Sequence, residues 1–82
     1  MQLPFPRPAP YTWSVTLHVE LEREEDGRWL ADVVDLPGTM AYGATRDDAL
    51  TAVEALAFRV IADRVEQREL PRPDMVEFSY SS

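Results

Sequence analysis

The sequence predicts a small α+β domain: an antiparallel sheet with one helix packed on a face, in the order β-β-β-α-β. Three observations carry that expectation. Residues 11–24 alternate apolar and polar side chains with period two, the pattern of a strand with one buried face. Asp26-Gly27 follows directly, and a glycine that accepts positive φ beside an aspartate is a strong hairpin signal. Residues 49–61 then repeat apolar side chains at intervals of three and four, the stripe of an amphipathic helix. With 82 residues, the chain is one domain near the lower size at which a single core holds itself together.

The elements follow in order. Prolines at every second position from Pro4 to Pro10 favour an extended arm over residues 1–10, with the folded domain over 11–82. In the first strand Trp13, Val15, Leu17, Val19 and Leu21 share the face expected in the core, and both Trp13 and Trp29 fit core positions. Thr12, Ser14, Thr16, His18, Glu20 and Glu22 take the other face. The second strand runs from Trp29 to Val34. A two-residue turn would set Trp29 opposite Glu24 on the charged face. A three-residue loop with a bulge sets it with Val19 and Leu21, and this register unites the apolar faces. It leaves Leu30 and Val34 on the outer face beside Glu20, Glu22 and Asp32. Apolar residues there predict that both faces of the sheet are at least partly covered.

Leu36 is expected to plug the core as the chain leaves that strand. Pro37 presets φ, and Gly38 permits a turn closed to other residues. Met40 to Tyr42 forms a short third strand, and Gly43 allows a bend before the helix. Thr45 has the signature of an N-cap, with Asp47 and Asp48 at the positive end of the helix. Ala49, Leu50, Val53, Leu56, Ala57, Val60 and Ile61 make the apolar stripe, while Glu54, Arg59, Asp63, Glu66 and Arg68 lie mostly on the wet side. The helix fades before Leu70–Pro73, because residues preceding proline avoid the helical region. Met75 to Tyr80 alternates again, with Val76, Phe78 and Tyr80 in phase, as a last strand.

Composition narrows the function classes. Fifteen acidic residues face eight basic ones, all arginine, for a net charge of −7. Such a chain repels phosphate backbones and suits a basic partner. There is no cysteine and one histidine, so neither a disulfide framework nor a thiolate or multi-histidine zinc site within one chain is available. No apolar run has the length of a signal peptide or a membrane span, which predicts a cytoplasmic protein without membrane contact. A core this thin favours self-association, and a homo-oligomer is expected.

The run from Asp26 to Leu50 resembles the HicB-type antitoxin family. The resemblance rests on Asp26-Gly27, the strand Trp29 to Val33, then Asp35, Leu36, Pro37 and Gly38, then Gly43, Thr45 and Asp48-Ala49-Leu50. Glu69 to Pro73 resembles the family's exit from the helix, so the likeness spans about Val15 to Pro73. Two positions depart from the pattern: Val34 stands where the family often has proline, and Thr39 where it often has cysteine. The resemblance implies a partial ribonuclease-H-like fold. It also implies an antitoxin that neutralises a small basic HicA-type toxin, an enzyme that cleaves messenger RNA. Many members continue into a DNA-binding segment. Here only Asp74 to Ser82 follow the proline pair, and no direct nucleic-acid binding is expected.

The partner-binding residues expected on this reading are Glu20, Glu22, Leu30, Asp32 and Val34. Asp35, Leu36, Pro37, Gly38, Gly43 and Thr45 form a structural connector; a phosphate cradle would need more glycine and a cation in the loop. No catalytic residue, metal ligand or cofactor is expected. His18 lacks a serine or cysteine arrangement that would mark a triad. Two other readings remain open. Glu20, Glu22, Asp32 and Asp35 could belong to a degenerate ribonuclease-H-like metal-dependent nuclease, which needs converging carboxylates. The chain could also be an orphan oligomeric regulatory domain.

Overall fold

A computed structural model of the chain describes residues 13–81. The proline-rich arm lies outside the described residues. The elements run β1 (Ser14–Arg23), β2 (Trp29–Val33), β3 (Met40–Gly43), α1 (Arg46–Glu66) and β4 (Met75–Ser81). The four strands form one sheet in the order β3-β2-β1-β4, and α1 packs on one face. The expected α+β architecture and element order are therefore present. One feature of the sheet differs: β4 pairs parallel to β1, so the sheet is mixed. The connection through α1 returns the chain to the same end of the sheet, and a strand entered that way runs parallel to its neighbour.

The β1–β2 hairpin takes the three-residue loop. Gly27 donates its N–H to the Glu24 carbonyl at 2.9 Å and Glu24 donates to Arg28 at 2.7 Å, while Gly27 adopts φ +91°. Leu21 then pairs with Ala31 and Arg23 with Trp29. The alternation of β1 thereby becomes a core of Leu17, Val19, Leu21, Ala31 and Val33, closed by Leu36 and by Ala49, Val53, Ala57 and Ile61 of the helix. Trp13 is the exception. It lies just before β1 and is 39% exposed. Its indole N–H donates to the Pro71 carbonyl and its backbone N–H to Asp74 Oδ2, so it braces the 71–74 segment instead of filling the core.

The connector has two glycines with different physics. Gly38 has φ +87° and open space where a Cβ would stand. Thr39 N–H donates to the Leu36 carbonyl at 2.9 Å, closing a turn with proline second and glycine third, the type II arrangement. Gly43 needs no unusual φ. A Cβ there would fall 2.2 Å from the Ala49 backbone nitrogen. Its place is set by the close approach of β3 to the helix, a stricter constraint than a bend. Thr45 caps that helix, its Oγ1 accepting from the Asp48 N–H at 3.0 Å.

The helix ends at Glu66, ahead of Leu70–Pro73 as expected, but the residue that closes it is not the usual glycine. Arg68 adopts φ 62°, its N–H donates to Val65 and that of Glu69 to Arg64. This is the paired-bond C-terminal motif that glycine usually serves. Glu54, expected on the wet side, is half-buried and accepts the Tyr80 hydroxyl. The carboxylate beside it raises the pKa of that phenol. Among the described residues no helix is long and apolar enough to cross a membrane.

Candidate functional site

The helix covers one face of the sheet and leaves the other open. The hairpin register fixes who stands on the open face. Glu20 lies opposite Asp32, and Glu22 opposite Leu30. Leu30 in turn faces Tyr42 and Asp32 faces Met40. On the other flank Thr16 pairs with Glu77, His18 with Ser79 and Glu20 with Ser81. No arginine takes an outward position on these strands. Like charges directly opposite each other destabilise a ladder, yet Glu20 and Asp32 hold that arrangement, with Glu22 two residues along the same face of β1.

Glu20, Glu22, Leu30 and Asp32, with Ser81, surround a shallow hollow of about 450 Å³. Four of the five residues expected to bind a partner therefore stand together. Val34 stands apart. It lies beyond the end of β2, exposed, with its N–H donated to the His18 carbonyl at 3.0 Å. It keeps the outward phase of the strand but borders the His18 end of the face. No described element of the chain itself lies over this face: Leu30 is half-buried, while Met40 and Tyr42 are exposed.

Met40, Tyr42 and Glu77 are residues of this face that sequence reasoning did not assign. β3 has four residues, too few for alternation to reveal its phase without the pairing partner. Tyr42 is held in place from the rim. The Arg28 guanidinium lies 4.2 Å from its ring centre, a cation–π contact, and Asp26 Oδ2 accepts from Arg28 Nε at 2.7 Å. The Arg28 backbone N–H, donated to Asp26, and then its side chain hold the Asp26 carboxyl below its ordinary pKa.

At the other end of the face, Asp35 does structural work. Its Oδ2 accepts the His18 backbone N–H at 2.6 Å and approaches the ring Nδ1 at 3.1 Å. The backbone N–H first, and the imidazole after it, lower the Asp35 pKa. The aspartate of the connector thus ties the turn to β1 at the point where the β1–β2 ladder ends. Among the described residues no group of three or more His, Asp or Glu side chains is placed to hold a metal ion; Glu20, Glu22, Asp32 and Asp35 do not converge.

The fold and this face define a two-layer α+β domain with one sheet surface covered by its helix and the other, acidic with apolar side chains among the acids, open to solvent. Comparison with protein-family models, curated proteins and solved structures finds no match to the chain.

Proposed function

We propose that the chain is an antitoxin of the HicB type, which binds and neutralises a small basic HicA-type toxin through the outer face of the sheet. The observation that carries the reading is the pairing of Glu20 with Asp32 and of Glu22 with Leu30 on a face without arginine. Mutually repelling carboxylates gain when a basic surface is laid over them. Leu30, Met40 and Tyr42 supply the apolar contacts that a core of an interface needs, and the acids supply its rim. Such a face occupies the toxin's basic surface in place of the RNA phosphates, and cleavage stops. The reading calls for no catalysis, cofactor or DNA contact by this chain, and it places the chain in the cytoplasm with messenger RNA.

The test is RNA cleavage by a small, basic, histidine-containing toxin encoded beside this chain. Equimolar chain is expected to abolish cleavage, and the Glu20→Ala, Glu22→Ala, Asp32→Ala variant to restore it. Inhibition that survives the triple replacement sinks the outer-face reading. Magnesium-dependent RNA cleavage by the pure chain, lost on Asp32→Ala, would replace it with the nuclease reading.

A further inference from the structure

β4 stands at the end of the sheet, and no described strand pairs with its outer side. All seven of its residues are in register with β1, so the free edge is long and regular. It has no proline, lysine, glycine or bulge, the devices that keep natural edge strands from pairing. Helix α1 lies over β3 and β2 and leaves the inner side of β4 incompletely covered. Val76 and Phe78 are half-buried, Tyr80 is 46% exposed and Phe58 50% exposed. Phe58 meets Phe78 edge to face at 5.6 Å. These side chains form an apolar strip along the open edge.

We propose that this edge pairs with β4 of a second copy of the chain, antiparallel about Phe78, joining the two sheets into one. The charge pattern selects both occupant and register. An axis at Phe78 uses the full strand and sets Glu77 against Ser79 of the partner subunit, Val76 against Tyr80 of the partner subunit and Met75 against Ser81 of the partner subunit. An axis at Glu77 would set that carboxylate against its own copy, which is unfavourable. Glu77 is the one charged residue of the strand, so the edge offers little to a basic partner but is complementary to itself, as a two-fold contact requires. In this arrangement both helices lie on the same side and the two Phe58–Phe78 strips abut. The acidic outer faces stay open and run together. The inference goes beyond the toxin reading and does not depend on it.

Sedimentation of the pure chain at micromolar concentration is expected to give a dimer. Ser79→Glu places a new carboxylate opposite Glu77 of the partner subunit twice per dimer and should weaken association roughly tenfold. Adding Glu77→Lys should restore it. Both positions are exposed on the outer side, so neither change threatens the fold. Phe58→Asp should dissociate the dimer, and Leu30→Asp on the outer face should leave it intact. A single-chain mass for the parent, an unaltered Ser79→Glu variant, or failure of Glu77→Lys to restore association would each overturn the proposal. Loss of the dimer on Leu30→Asp would move the contact to the outer face and overturn it as well.

Discussion

Replacing Gly43 by alanine should damage this domain far more than one added methyl implies. The Cβ would stand 2.2 Å from the Ala49 nitrogen, 2.7 Å from the Asp48 carbonyl carbon and 2.8 Å from the Ala49 Cα. All three are backbone atoms of the first helical turn, so no side chain can swing aside. The shortfall from ordinary contact is about 1.2 Å, and a gap approaching 1 Å forfeits roughly a quarter to a half of each van der Waals contact it opens. The helix must retreat from β3, and Ala49 and Val53, both fully buried, lose contact with the sheet. Overpacking of this kind costs about 1–3 kcal/mol, with backbone clashes at the upper end. A domain of this size holds only about 4–12 kcal/mol in total. With a urea m-value of about 1 kcal/mol/M, a loss of about 3 kcal/mol moves the midpoint by about 3 M. Gly38 is the control. Its Cβ space is empty, so alanine there suffers only the positive φ, about 1–2 kcal/mol, and asparagine less. Asparagine should therefore be tolerated at position 38 and rejected at position 43. A Gly43→Ala midpoint close to the parent's, or equal damage from asparagine at both positions, refutes the close-approach argument.

Further outcomes follow from the same geometry. Thr45→Ala removes the cap on the Asp48 N–H and should cost about 0.5–2 kcal/mol in a urea titration, with serine restoring most of it. Arg68→Gly relieves the left-handed backbone at the helix end and should raise stability by about 0.5–1 kcal/mol; a lower melting temperature would contradict the assignment of that motif. The Asp35 carboxyl has a lowered pKa in the folded chain, so its stabilising effect is complete above the ordinary aspartate range, near roughly 3.9. It is lost as pH falls through the lowered value. Asp35→Asn should flatten that acid limb of the stability curve, and an unchanged limb would show that the His18 N–H contact contributes nothing.

Local patterns in the sequence carried much of this fold. The alternation of Val15 to Leu21, the positive-φ glycine of Asp26-Gly27 and the Thr45 cap each act over a few residues, so the residues themselves declare them. The shared face of Glu20, Glu22, Leu30 and Asp32 was legible too, because a three-residue hairpin loop settles the register between two strands. What escaped depends on distant partners. The parallel direction of β4 is decided by the crossover through α1, not by Met75 to Ser81. Trp13 has the parity of a core residue, but it precedes the strand, and bonds to Pro71 and Asp74 claim it. Phe58 and Glu54 lie on the flank of the helix, and only the position of β4 gives them Phe78 and Tyr80 as neighbours. Arg68 fills a left-handed position without a glycine to signal it.

The outer face is the centre of the account, and the rate at which it captures a basic partner tests it most directly. On the proposed antitoxin function, association of the chain with a small basic HicA-type toxin should be measured at low and high salt, for the parent and for the Glu20→Ala, Glu22→Ala, Asp32→Ala variant. The acids act by long-range attraction, so their loss should slow association by roughly tenfold or more at low salt, and the difference should shrink as salt screens the charges. Leu30→Asp, which buries an unpaired charge, should instead speed dissociation. An association rate at low salt that is the same with and without the three carboxylates would contradict the account.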